Sequence, residues 1–330
     1  MPTQPVSSTG LFPRLLADVG GTNARFAWQA KPGALITDVR VLPCAEHPSL
    51  QAAMHTYLGD LGRGRPAATA IAIANPVTGD QIRMTNHHWQ FSQSAVKAEF
   101  GLQVLRLLND FTALALALPD LSADELHQVG GGAAVPGRPI ALLGPGTGLG
   151  VSGLLPDGRG GWVPLEGEGG HVTLPAISER ERLVMDGLIR RYGHASAERV
   201  CCGHGLVDSC AILCEADGVT VQGLDSAAAV CDGALHDGQP QALEALHIFC
   251  AVLGSVAGNL ALTLGAHGGV YVGGGIVPRL GAWFDQSDFR ERFEAKGRFR
   301  PFLAGIPVQV ITATQSPALR GAARALDAGN

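Results

Sequence analysis

Three short stretches carry the residue types that chemistry needs. The first is Asp18-Val19-Gly20-Gly21-Thr22-Asn23, entered by Leu15-Leu16-Ala17 and left by Ala24-Arg25-Phe26-Ala27-Trp28. Short, branched and aromatic flanks predict two strands. Gly-Gly-Thr-Asn between them predicts a tight reversal, because glycine accepts positive φ without penalty and asparagine tolerates it. Such a turn bares backbone N–H groups and a hydroxyl, so a phosphate can approach the main chain closely. Asp18, ending the first strand, is placed to hold a hydrated Mg²⁺ beside those phosphates. The plainer alternative is an ordinary Gly-Gly hairpin with Asp18 as a turn former.

The second stretch is Leu107-Leu108-Asn109-Asp110-Phe111-Thr112. Asp110 stands where an apolar strand gives way to an apolar helix. It either caps that helix or offers a carboxylate at a strand's C-terminal edge, where α/β proteins place ligands. The third is Leu165-Glu166-Gly167-Glu168-Gly169-Gly170-His171. A glutamate and a histidine separated by two glycines fit neither a packed helix nor a strand, and the glycines point to backbone pressed close to something small.

The elements that must position these groups follow from patterning. Residues 36–42 predict a third strand after the hairpin, and Pro48-Ser49 opens a helix that ends near Gly59. Ala67–Ala74 and Val104–Leu108 read as buried strands, with a helix from Ser92 to Gly101 between them and another over Phe111–Leu118. After Pro119 the pattern restarts. The strand Pro139–Leu143 runs into Gly144-Pro145-Gly146-Thr147-Gly148-Leu149-Gly150, and the strand Val151–Leu155 leaves it. Two copies of strand, phosphate-sized turn and strand suggest an internal duplication. Ser178–Tyr192 is a helix, and residues 197–265 are nearly all helical. The strand Gly269–Val272 leads into Gly273-Gly274-Gly275, which opens a helix whose positive end faces the glycine turn. The class is mixed α/β.

Composition bounds the function. A chain of 330 residues, 46% hydrophobic and 16% charged, has material for two domains with buried cores. A formal charge of −5 gives no electrostatic reason to bind nucleic acid or an anionic membrane. The apolar tract Ile248 to Val277 is long enough for a membrane span, but Asn259, His267 and three glycines interrupt it. It reads as a buried helix followed by a core strand. Seven cysteines without a C-x-x-C pair argue against zinc and for free thiols in a reducing cytoplasm. Residues 1–13 lack the pattern of a signal peptide and read as a loose tail.

The ordered set of motifs resembles the bacterial glucokinases, hexokinase-like members of the actin-like ATPase superfamily. The matching segments are Asp18–Arg25, Ala74–Asp80 with Met84–His87, Asn109–Ala113, Gly146–Val151, Gly167–Val172, Ser196–Val200 and Gly268–Arg279. They keep their order and spacing over residues 14 to 311. The resemblance implies a duplicated actin-like ATPase (ribonuclease H-like) fold in two domains around a cleft: a small α/β domain of residues 14–119 plus 312–330, and a large one of 120–311. It implies ATP-dependent phosphorylation of D-glucose at the 6-hydroxyl, the first step of glycolysis, with Mg²⁺, in a cytoplasmic homodimer. Asp110 matches the catalytic aspartate. Asn109, Asp110, Glu168, His171 and Glu198 match the sugar ligands. Ala17, Asp18, Val19, Gly20, Gly21 and Thr22 match the first phosphate turn, with Asp18 reaching the metal through water. Gly146, Thr147 and Gly148 match the second phosphate turn, and Gly273, Gly274 and Gly275 the adenosine-side motif.

The chain departs from the family pattern at three places. Glu166 stands where proline is frequent, Cys201-Cys202-Gly203-His204-Gly205 replaces a loop of small residues with His204 at a common proline position, and Thr312 to Arg324 is poor in glycine. Two alternatives remain: a kinase for a related hexose (mannose, fructose or an N-acetylhexosamine), and a non-enzymatic sugar sensor. A repressing sensor needs a helix-turn-helix module before the first phosphate turn, and about 14 residues are too few for one.

Overall fold

The computed structural model describes residues 11–220 and 222–327. The chain divides into two compact units, Met1–Ser122 with Ala313–Asn330, and Ala123–Thr312.

In the first unit, β1 (Arg14–Val19) and β2 (Asn23–Gln29) form the expected antiparallel hairpin, with Val19 opposite Ala24. Strand β3 (Thr37–Pro43) extends the meander. Helix α1 (Leu50–Leu61) is capped by Ser49, whose hydroxyl accepts from Ala52 N, and ends at Gly62 with φ +59°, not at Gly59. Leu58 and Leu61 pack on the unit's core, and that burial carries the helix past Gly59. Strand β4 (Ala68–Ile73) follows, then a small hairpin of β5 (Gln81–Arg83) and β6 (Gln90–Ser92) too short for alternation to reveal. Helix α2 (Gln93–Phe100) lies between a Ser92 cap and Gly101. Strand β7 (Val104–Asn109) runs straight into α3 (Asp110–Ala117). The sheet order is β3-β2-β1-β4-β7, with β1, β4 and β7 parallel.

The C-terminal helix Ala318–Asp327 packs on α3, β1 and β4. A Cβ at Gly321 would overlap the Ala113 carbonyl, so glycine sets how closely this helix approaches α3. The buried Arg14 reaches the same helix through Asp327 at 2.7 Å and the Ala323 carbonyl at 3.4 Å. The loose tail expected over residues 1–13 is corrected at its end, because Leu11 is buried in one cluster with Leu16, Leu319 and Leu326. Residues 1–10 lie outside the described residues.

The second unit repeats the plan. Strands β8 (Leu126–Val129), β9 (Ile140–Pro145), β10 (Leu149–Pro156), β11 (Trp162–Pro164), β12 (Val270–Val272) and β13 (Val308–Ile311) form a sheet of order β11-β10-β9-β12-β13-β8. Its β9-β10-β11 meander matches β1-β2-β3, and β12 and β13 lie parallel beside β9 as β4 and β7 lie beside β1. The duplication expected from two glycine turns is thus a duplication of strand order, with β8 as an added antiparallel edge.

Helices α4 (Glu179–Tyr192), α5 (Ala197–Val200), α6 (Gly203–Asp217), α7 (Ala227–Leu235) and α8 (Pro240–Leu264) supply most of this unit's core. Helix α8 is long and apolar enough to cross a membrane, but it is mostly buried against α6, α7 and the short helix Phe289–Glu294. Its Gly254 and Gly258 sit so close to the Phe289 and Phe293 carbonyls that a Cβ would overlap them. Helix α9 (Val277–Leu280), which follows the triple glycine, is a single turn. The expected helix dipole is therefore negligible here, since the macrodipole needs several aligned peptides. All seven cysteines are free, and burial pushes the Cys201 thiol well up and that of Cys250 to about 12.

Candidate functional site

The first unit gathers its candidates at the C-terminal ends of β1 and β7. Ala17, Asp18 and Val19 end β1 and are buried, while Thr22 is exposed at the turn. Gly20 N donates to Asn23 O at 2.9 Å, and Thr22 O accepts from Cys44 N at 2.8 Å. Neither Gly20 nor Gly21 uses positive φ, contrary to the expected reason for glycine here. The reason at position 21 is space: a Cβ would lie 3.0 Å from the Asn86 Cβ.

Asp18 Oδ2 accepts from Ser316 Oγ at 2.7 Å and lies 3.4 Å from Arg25 Nη1. Sequence reasoning missed Ser316. Its signal was Ser316-Pro317 ahead of a helical run, which marks a turn but not a partner.

The junction of β7 and α3 separates two roles that the sequence left open. Asn109 is the cap: its Oδ1 accepts from Phe111 N at 2.9 Å and Thr112 N at 3.4 Å. Asp110 is the first helical residue, and its Oδ1 accepts from the neighbouring Phe111 N at 2.9 Å. Asn109 Nδ2 donates to Asn75 O at 3.5 Å, and the Asn75 side chain holds Thr85 N at 2.9 Å and Arg83 O at 3.1 Å. The motif Asn75–Asp80, the Met84–His87 loop and the Asn109–Asp110 junction are thereby tied into one local network.

Burial pushes the Asp110 carboxyl up to about 6, against the Phe111 N–H, which favours the charged form, and with help from the negative Asp18. Two carboxylates near enough for one to disfavour ionisation of the other suit a hydrated divalent cation, which keeps most of its waters and takes one or two carboxylates from protein. Among the described residues no group of three or more His, Cys, Asp and Glu forms a closed metal cage.

In the second unit Leu149 is the hub. Its N–H donates to Glu198 Oε2 at 2.9 Å. Glu198 also lies under Gly148, where a Cβ would overlap its carboxylate. On the carbonyl side of Leu149 sits Gly170, again with no room for a Cβ, and Gly169 is pressed on Val151. These glycines let the 168–171 loop lie flat on β10, with the exposed Glu168 just before the turn Gly169–His171 and the exposed His171 at its end. Ala197 N donates to Val172 O at 2.9 Å, which ties that loop to the short helix carrying Glu198. Glu168, His171 and Glu198 are thus held on one backbone frame.

The turn Gly146–Gly148 joins β9 to β10, with Gly146 N donating to Gly148 O at 2.8 Å. Gly203 N, at the start of α6, donates to Gly146 O at 2.9 Å. The triple glycine abuts the same place: Gly273 N donates to Leu143 O at 2.8 Å, and Gly274, with φ +79°, leaves no space for a Cβ against Pro145. Residues Gly146, Thr147, Gly148, Gly273, Gly274 and Gly275 therefore form one glycine-lined patch, with main chain exposed at Thr147, Gly274 and Gly275.

Comparison with known proteins gives the family. The Glucokinase family model matches residues 15–328. The chain is 54% identical to a glucokinase of Chromobacterium violaceum, over 96% of this chain and 90% of that one. It is 52% identical to a glucokinase of Aromatoleum aromaticum, over 98% and 97%. Among solved structures it is similar to a glucokinase from an Antarctic psychrotroph, with 34% identity, a TM-score of 0.86 and coverage of 96% of this chain and 99% of that one.

Proposed function

The chain belongs to the glucokinase family, and on that premise we propose how its own residues divide the work of moving a phosphoryl group from ATP to glucose. The fold is the duplicated actin-like ATPase fold, and the activity is ATP-dependent phosphorylation of glucose at the 6-hydroxyl. The proposal concerns the residues.

Asp110 is the general base. A sugar hydroxyl is a poor nucleophile at neutral pH, and a carboxylate that accepts its proton during attack on the γ-phosphoryl contributes about 10²–10⁴-fold. The observation that carries this assignment is the Asp110 carboxyl pushed up to about 6, at a strand end, with capping left to Asn109. A base poised just below the working pH is both ionised and able to take a proton.

Asn109, Asp110, Glu168, His171 and Glu198 recognise the sugar. A neutral polyol is selected by matched donors and acceptors, because a missing hydroxyl leaves a polar group unpaired. Asn109 Oδ1 is engaged by α3 and one N–H of its Nδ2 reaches Asn75 O, which leaves the second N–H of Nδ2 as the group for the sugar. Residues Ala17–Thr22 and Gly146–Gly148 cradle phosphates with main-chain N–H groups, and Gly273–Gly275 lie on the adenosine side.

The carboxylate of Asp18 fits a water-mediated hold on Mg²⁺. When bound, that ion neutralises charge on the transferring phosphates. Ser316 and Arg25 fix the Asp18 carboxylate, so its orientation is set before any ligand arrives.

We place the enzyme in the cytoplasm as a homodimer, a reading supported by seven free cysteines and by the family resemblance. A coupled assay with a panel of hexoses and phosphoryl donors tests the whole. Glucose with ATP is expected to give the highest kcat/KM. Equal values for glucose and its 2-epimer would favour the broader hexose kinase.

A further inference from the structure

We propose that Arg199 grips phosphate oxyanions of the nucleotide in a pocket that opens beside the second glycine turn; this rests on the nucleotide assignment of Gly146–Gly148 above. The pocket has a volume of about 220 Å³, and its lining includes Thr147, Tyr192, Glu198, Arg199, His204 and Asp208. One wall is the glycine turn and another the first turn of α6, which Gly203 N joins to Gly146 O.

The charges in this pocket are unevenly engaged. Glu198 is held by Leu149 N. Asp208 accepts from Tyr192 Oη at 2.8 Å and pairs with Arg191 at 2.9 Å. Arg199, by contrast, has no carboxylate within ion-pair distance among the described residues. Its guanidinium lies 3.8 Å above the Tyr192 ring, and Tyr192 is itself fixed by Asp208. Stacking on a ring orders the planar guanidinium and leaves its N–H edges for an acceptor. The exposed His204 stands on the same pocket. Arg191 offsets Asp208, and Glu198 keeps its charge beside Arg199, so what the pocket offers a ligand is the ordered N–H edges of the Arg199 guanidinium. An ordered guanidinium next to main-chain N–H groups suits a phosphate, which it can meet with paired hydrogen bonds.

The test uses the intact enzyme with Arg199→Gln and Arg199→Lys. Arg199→Gln is expected to raise the KM for ATP and the inhibition constant of ADP about tenfold or more, the loss typical of a charge-assisted contact. The KM for glucose and the inhibition constant of adenosine stay unchanged, and Arg199→Lys falls between. The ATP KM of the wild type rises more steeply with salt than that of Arg199→Gln.

An unchanged ATP KM in Arg199→Gln overturns the proposal. So does an equal weakening of adenosine, which would place the guanidinium on the base. A rise confined to glucose, or equal rises in both KM values with a lower Tm, would make Arg199 a prop for Glu198 and overturn it as well. The wider reading is checked separately. If the wild type phosphorylates glucose and Asp110→Asn does not, that reading stands whatever Arg199 does.

Discussion

The Leu149 amide donates to Glu198 Oε2 at 2.9 Å, so a carboxylate assigned to the sugar also holds the first residue of the strand leaving the second glycine turn. The two duties separate by substitution. Glu198→Gln keeps an oxygen for Leu149 N and is expected to leave Tm nearly unchanged while the glucose KM rises about tenfold. Glu198→Ala strands a buried N–H, which costs about 1–3 kcal/mol, and lowers Tm as well. Equal Tm losses in both variants with an unchanged glucose KM would leave Glu198 a purely structural role. Thermal melts and steady-state kinetics decide.

Asp110→Asn should retain glucose binding and lose about a hundredfold or more in kcat, since the amide keeps the shape and the Phe111 hydrogen bond but accepts no proton. Glucose protection against thermal unfolding reports binding, and single-turnover transfer reports the chemistry. Transfer at the wild-type rate would reject Asp110 as the base.

The raised Asp110 pKa makes two pH statements. The kcat/KM should climb as pH rises through about 6, when the carboxyl ionises. Stability should move the other way. The folded value lies above the ordinary 3.8, so the native chain holds this proton more tightly than the unfolded one. The associated stability is complete below about pH 4 and is lost as pH rises through about 6. Asp110→Asn removes the buried charge and should therefore be more stable than wild type at pH 7.5, by about 1–3 kcal/mol after allowance for partial exposure. The gain should vanish at pH 4. Denaturant unfolding at the two pH values checks this, and a variant less stable at pH 7.5 would contradict it.

Gly321 is the third lever, remote from any proposed ligand. Its contact with the Ala113 carbonyl sets the spacing between the C-terminal helix and α3, whose first residue is Asp110. Gly321→Ala should push α3 aside, destabilise the protein by about 1–3 kcal/mol, and reduce kcat more than either KM. An unperturbed kcat in a folded variant would show that α3 tolerates the shift.

Much of this was legible because glycine and capping residues leave local marks. The hairpin at Asp18–Asn23, the caps Ser92 and Ser178 and the stops at Gly101 and Gly193 all follow from short-range backbone rules. The reasons for particular glycines were less legible. Gly21, Gly148 and Gly170 are small because of Asn86, Glu198 and Leu149, residues from 21 to 65 positions away in the chain, and no local rule reports such a neighbour. The same holds for Ser316, which meets Asp18 only after the chain has returned to its first unit. The end of α1 was misplaced because burial of Leu61 outweighed the weak helix propensity of Gly59.

The matched sheets also explain an asymmetry of charge. Asp18 is the next-to-last residue of β1, and the residue at the equivalent place in β9 is Gly144. Under the proposed assignment both glycine turns seat an anion, but only the first carries an acid at its rim. An acidic seat would repel bare phosphate and accept it in company with a cation, whereas a neutral seat would accept it directly. On that reading, two units built on one strand order differ in their demand for a metal through a single unmatched carboxylate.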